Sequence, residues 1–92
     1  MIDGTYLKTE DGFTKVDLDY GYWVASNEIN PDYLAVGKYL GVWTDPETGK
    51  TWYDETHHIE DLGTALILCR TWNQLAIWDI ANNKSIPQNP NY

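Results

Sequence analysis

Hydrophobic residues recur at helical spacing in the last third of the chain and at strand spacing directly afterwards. Residues 60–73 have apolar positions in steps of three and four, which predicts one amphipathic helix. Its apolar stripe comprises Leu62, Ala65, Leu66, Cys69 and Trp72. Residues 74–80 then alternate with apolar residues on both faces, which is typical of a central strand covered on both sides.

Turn signals divide the earlier part of the chain into strands. Asp11-Gly12 lies between two β-prone runs and predicts a hairpin, and residues 21–25 predict the next strand. Residues 38–44 and 51–55 flank a second turn. This order predicts an α+β fold, a mostly antiparallel sheet of about five strands with the single helix packed on one face.

The second turn, residues 45–50, predicts a strand register. Its sequence, Asp-Pro-Glu-Thr-Gly-Lys, has proline early and glycine where a positive φ is needed. If the strands pair directly outside a four-residue loop, Trp43 lies opposite Trp52. The same register places Val42 opposite Tyr53. This hairpin therefore has one broad aromatic face.

Composition indicates one small globular domain. The chain of 92 residues is 42% apolar and 14% aromatic, which argues against disorder and for one modest core. We expect a single α+β domain over residues 1–86 and a flexible C-terminal tail over residues 87–92. The longest aliphatic run, residues 65–69, is too short to span a membrane. One cysteine and no signal-peptide pattern predict a reducing, cytoplasmic setting.

Charge is the most unusual bulk property. Fourteen acidic residues against six basic ones give a net charge of −8 and an isoelectric point near 4.3. Direct binding to nucleic acid needs clustered Lys and Arg and is therefore not expected. A charge of this size supports solubility, and it also suits a surface that meets a basic partner or imitates DNA.

The candidate chemistry centres on His57 and His58, the two histidines of the chain. Adjacent residues in an extended segment point to opposite sides, so the pair does not readily hold one metal. Neither Cys-x-x-Cys, His-Glu-x-x-His nor Gly-x-Ser-x-Gly occurs. We therefore predict a non-enzymatic protein without metal or cofactor. The alternative, a small metal-dependent or acid–base enzyme using His57 and His58, needs a neighbouring carboxylate such as Asp54 or Glu55.

Five tryptophans are more than one small core usually needs. Trp72 and Trp78 belong to the helix–strand segment and are expected in the core. Trp23, Trp43 and Trp52 are expected to share a sheet face. That face either packs beneath the helix or is partly exposed, as an anchor for a protein partner or as a stacking surface for a flat ligand.

Three stretches resemble small uncharacterised accessory proteins of phages and mobile elements. They are GVWTDPETGKTWY at residues 41–53, the acidic helix start Glu60-Asp61, and NQLAIWD at residues 73–79. The resemblance attaches no family function to these residues. It implies a context, the host cytoplasm, in which short acidic proteins bind and block a host protein, including nucleic-acid-handling defence enzymes.

These observations predict a small acidic protein-binding module, a phage-type inhibitor or modulator that blocks a basic host protein by steric occlusion. The predicted contact residues are Asp45, Glu47, Trp43, Trp52, Asp17 and Asp19. The alternative is a small-molecule or nucleotide-like ligand held by tryptophan stacking. A homodimer is compatible with each function, because an exposed sheet edge invites pairing. Membrane binding is not expected.

Overall fold

A computed structural model describes residues 2–88, with the backbone alone for residues 2 and 3. This part of the chain contains one α-helix, α1 (Leu62–Thr71), and a 3₁₀ helix at Pro31–Tyr33. The strands are β1 (Ile2–Thr9), β2 (Gly12–Lys15), β3 (Tyr22–Glu28), β4 (Tyr39–Thr44), β5 (Thr51–Ile59), β6 (Ala76–Asp79) and β7 (Lys84–Pro87). They form an antiparallel sheet in the order β2-β1-β4-β5-β3-β6-β7.

The predicted α+β class with one helix is confirmed within residues 2–88. The expected count of about five strands is wrong, because the described residues form seven. Segments as short as the four-residue β7 are strands through pairing, here of Ile86 with Ile77 and of Ser85 with Trp78. Such brief pairing leaves little periodicity in the sequence for a prediction to use.

The chain divides into two compact units. Unit 1 comprises Met1–Asp17 and Asn27–Thr56, and unit 2 comprises Leu18–Ser26 and His57–Tyr92. Of the tail predicted over residues 87–92, residues 89–92 lie outside the described part. Gln88 donates its backbone N–H to Leu75 O at 2.8 Å, and its side-chain amide donates to the carbonyl of Gln74 at 3.1 Å.

Unit 1 pairs β2, β1, β4 and the first part of β5. The predicted hairpin at Asp11-Gly12 is confirmed, with Thr9 paired to Gly12. The buried large apolar side chains among the described residues of this unit are Leu34 and Leu40. Four aromatic residues are exposed to solvent over more than a third of their surface, namely Phe13, Tyr33, Trp43 and Tyr53. Unit 1 therefore buries few large apolar side chains and exposes several aromatic ones.

Unit 2 places α1 on one face of β3 and β6. Its buried cluster consists of Val24, Ala65, Cys69 and Ile77, with Trp72 packed against it. Trp23 pairs directly with Trp78, so both tryptophans leave the face opposite to the one that carries Val24 and Ile77. Trp78 thus lies across from Trp23 and not beneath the helix.

Helix α1 begins two residues later than the predicted range 60–73 and ends two residues earlier. Asp61 is the N-cap: its Oδ2 accepts from Thr64 N at 2.8 Å and from Thr64 Oγ1 at 2.9 Å. Asn73, with φ of 55°, ends the helical path as its tolerance of left-handed geometry predicts. Periodicity located the helix face, whereas these local hydrogen bonds and dihedrals set its ends. At ten residues, the α-helix of the described chain falls well short of what crossing a bilayer requires.

Candidate protein-binding site

The turn between β4 and β5 is held by its own hydrogen bonds. Asp45 N donates to Lys50 O at 2.8 Å, and Gly49 N donates to Asp45 O at 2.8 Å. The Oδ1 of Asp45 accepts the backbone N–H of Glu47 at 2.8 Å. Gly49 has φ of 77°, a conformation that glycine adopts without steric penalty. The loop geometry predicted from the sequence is therefore confirmed.

Trp43 and Trp52 occupy directly paired positions on β4 and β5, as predicted. Their side chains leave the same face of the hairpin because paired residues in an antiparallel ladder do so. Trp43 is 36% exposed. The Nζ of Lys50 lies 3.7 Å from the centroid of the Trp52 ring, a cation–π contact that no sequence pattern indicated. The Trp52 ring is thus covered on one side by the Lys50 ammonium group, and the Trp43 ring is partly exposed to solvent.

The two acidic residues of the turn have different roles. Asp45 is partly buried, and its carboxylate is engaged by the Glu47 N–H inside the turn. Glu47 is exposed. The charge that an approaching molecule meets is therefore that of Glu47, while Asp45 mainly shapes the loop that presents it.

Asp17 and Asp19 are exposed but do not belong to the hairpin. Asp17 lies in unit 1 and Asp19 in unit 2, in the segment that joins β2 to β3. The hairpin therefore brings together four of the six predicted contact residues, and the other two lie outside it.

A groove of about 490 Å³ lies beside the end of β3 in unit 1. It is lined by Glu28, Ile29, Asn30, Pro31 and Tyr53. Ile29 N donates to Tyr53 O at 2.9 Å, which ties the two walls together. Asn30 Oδ1 accepts from Asp32 N at 3.0 Å and so fixes the start of the 3₁₀ helix. The sequence did not indicate this groove, because Tyr53 lies 22 or more residues further along the chain than the other lining residues.

The carboxylates of Glu28 and Asp54 repel each other in unit 1. Burial, and secondly the negative charge of Glu28, raise the pKa of Asp54 above its ordinary value of 3.8. Glu28 itself is exposed at the groove. The negative charge of Glu28 therefore acts on Asp54 as well as on the groove.

His57 and His58 have different neighbours. The Nε2 of His57 lies 3.0 Å from Ser26 Oγ, and its ring centroid lies 4.7 Å from that of Trp72. The Nε2 of His58 donates to the carbonyl of Tyr20 at 3.0 Å. Each ring is thus tied to a different part of unit 2, in line with the opposite directions expected for adjacent strand residues.

The possible metal ligands of the chain and its single thiol lie within residues 2–88, the part that the structure describes. Residues 2–88 contain no group of three or more His, Cys, Asp or Glu side chains that is arranged to hold a metal ion. Cys69 is buried and donates its thiol to Gln74 O at 3.3 Å. Burial raises the pKa of that thiol, which keeps it from being a reactive thiolate.

Comparisons of the chain with models of known protein families, with curated proteins and with solved structures gave no match. A function for this chain can therefore be inferred only from the chemistry of its own residues.

Proposed function

We propose that this protein is a small non-enzymatic binding module that covers a basic surface of a larger protein with its β4–β5 hairpin. The observation that carries the proposal is the exposed Trp43, set beside a hydrogen-bonded turn that presents Glu47. Tryptophan is enriched among residues that dominate binding energy. A turn already fixed before binding loses less conformational freedom in the complex.

The distribution of charge favours a basic partner. Unit 1 contains ten acidic and four basic residues, a net charge of −6, whereas unit 2 contains four and two, a net charge of −2. Two of the four lysines of unit 1 stand over aromatic rings, Lys8 over Phe13 at 4.6 Å and Lys50 over Trp52. The hairpin therefore belongs to the more acidic unit. The negative electrostatic field of that unit would accelerate its encounter with a basic surface.

The proposed mechanism is steric occlusion. A hairpin that lies on a basic surface excludes any other anionic molecule from it, including nucleic acid, without chemical change in either protein. In a phage-type inhibitor, which is the context that we propose, the partner is a nucleic-acid-handling or defence enzyme of the host cytoplasm.

The experiment begins with the partner captured from host lysate and then uses purified components. We would measure its affinity for the parent protein and for Trp43→Ala, Glu47→Gln and Tyr33→Ala. Tyr33 is the matched control, because it is 81% exposed in the same unit but lies outside the hairpin.

We expect Trp43→Ala to weaken binding by about tenfold or more, as for a residue at an energetic centre of an interface. Glu47→Gln should lower the association rate and flatten its dependence on salt. Tyr33→Ala should leave both unchanged. An unchanged affinity for Trp43→Ala and Glu47→Gln in an established complex would remove the hairpin as the site.

A flat ligand stacked on tryptophan is the weaker alternative at this hairpin, since Lys50 already occupies one side of the Trp52 ring. Acid–base chemistry is a second candidate function, and the hydrogen bond between Ser26 Oγ and His57 Nε2 favours it. A fluorophosphonate probe tests that candidate directly. Labelling of Ser26 that disappears in His57→Ala would support a nucleophile–base pair, and no labelling would leave the contact a structural one.

A further inference from the structure

We propose that the groove lined by Glu28, Pro31 and Tyr53 receives an arginine side chain of a protein partner. The inference rests on the proposed function and names the partner group that this part of unit 1 recognises. The groove is a second contact, since Tyr53 and Trp52 are neighbours on β5 and leave opposite faces of the hairpin.

The groove offers the three kinds of contact that a guanidinium group uses. Tyr53 is 38% exposed and supplies an aromatic ring, against which a planar cation stacks. Pro31 and Ile29 supply apolar surface for the methylene stem of a long side chain. Glu28 supplies a carboxylate, which guanidinium binds with two parallel hydrogen bonds.

Charge selects a cation over other occupants. The five residues that line the groove include one acid and no base. The charge of Glu28 reaches Asp54 and contributes to the rise in its pKa. A bound cation relieves that repulsion, whereas a phosphate or a nucleic-acid backbone would increase it. Arginine fits better than lysine because its flat, weakly hydrated head stacks on the ring while it pairs with the carboxylate.

The walls of the groove are held in place before binding. The bond from Ile29 N to Tyr53 O connects β3's end to β5, and the Asn30 side chain caps the 3₁₀ helix that begins with Pro31. An occupant therefore meets a preformed site, which reduces the ordering that binding requires.

The test uses the full chain and a defined probe, the peptide acetyl-Gly-Arg-Gly-amide, followed by NMR through the backbone amides. The matched probe replaces arginine with citrulline, which has the same shape and no charge. We expect the arginine peptide to shift the amides of Ile29 and Tyr53 and the citrulline peptide to shift them much less. Equal shifts with both peptides, or none up to about 10 mM, would overturn the proposal.

Two variants locate the contact. Glu28→Gln should weaken binding of the arginine peptide by about two- to fivefold, as for a single exposed ion pair. Glu10→Gln is the control, since it removes the same charge from an exposed position in the β1–β2 turn. Equal effects of the two substitutions would indicate attraction to net charge alone and would overturn the site.

Trp43→Ala separates this inference from the proposed function. The substitution leaves the groove residues intact, so peptide binding should be unchanged even where binding of the large partner is lost. If the peptide binds the groove normally while neither Trp43→Ala nor Glu47→Gln affects binding of the partner, the hairpin site is wrong and the groove site still stands.

Discussion

The ammonium group of Lys50 lies 3.7 Å from the centroid of the Trp52 ring, two residues further along the chain. Side chains two residues apart in an extended segment lie on the same face. Lys50, the last residue of the turn, can therefore place its ammonium group over the ring of Trp52. This contact holds the positive charge of Lys50 beside the paired rings of Trp43 and Trp52. It also leaves Trp43 as the more accessible of the two paired rings.

Removal of this cation tests its contribution to stability. We expect Lys50→Gln to lower the free energy of unfolding by about 0.5–1 kcal/mol, the range for an exposed cation–π contact. Lys15→Gln on the exposed edge strand β2 makes the same change in net charge and serves as the control. Urea unfolding followed by tryptophan fluorescence compares the two, and equal losses would assign the effect to net charge.

Gly21 is predicted to be less replaceable than Gly37. Both have positive φ, 80° and 91°, so alanine at either position adds about 1–2 kcal/mol of backbone strain. A Cβ at Gly21 would also come within 2.5 Å of His58 Nε2, whereas at Gly37 it would meet nothing within 4 Å. Gly21→Ala should therefore destabilise the protein more than Gly37→Ala in urea unfolding. Equal losses would mean that His58 moves aside freely.

The helix cap at Asp61 should make stability depend on pH. Hydrogen bonds from the backbone and side chain of Thr64 lower the pKa of Asp61 below 3.8. The contribution is therefore present above the unfolded-state pKa and is lost as the pH falls through the lower folded-state pKa. Asp61→Asn keeps a capping oxygen that does not titrate in this range. The difference in Tm between the parent and Asp61→Asn should change on acidification, and a constant difference would count against the cap.

Asp54 should have the opposite pH dependence. Because its folded-state pKa is raised above 3.8, the folded protein binds more protons than the unfolded chain between those two values. Its contribution is favourable below 3.8 and is lost as the pH rises through the raised pKa. We expect Asp54→Asn to stabilise the protein near neutral pH, with the gain vanishing in acid. NMR titration should also show a lower pKa for Asp54 in Glu28→Gln.

The core of unit 2 gives the largest expected loss of stability. Ile77 is 2% exposed in the cluster with Val24, Ala65 and Cys69, so Ile77→Ala leaves a cavity and should lower the free energy of unfolding by about 2–5 kcal/mol. Ile67 is 62% exposed on α1, and Ile67→Ala should stay within about 0.5 kcal/mol. Chemical denaturation of both variants checks the difference. Similar losses would mean that the Ile67 side chain is buried in solution and would contradict its exposed position on α1.

The sequence by itself determined the features that short-range contacts control. The turn at residues 45–50 closes over a few residues, so its proline, glycine and Asp45 side chain set the register that pairs Trp43 with Trp52. The apolar stripe of the helix and the glycine-containing hairpin of β1 and β2 are equally local. Four of the six predicted contact residues lie together for this reason, because they belong to one hairpin.

Only the tertiary structure decided which distant segments meet. The pairing of Trp23 with Trp78, the bond between His57 and Ser26, and the groove at Tyr53 all join residues more than 20 positions apart. Alternation along a strand states which residues share a face but not which strand lies beside it. Which strands become neighbours depends on contacts between residues that are distant in sequence, and no local sequence pattern specifies those contacts.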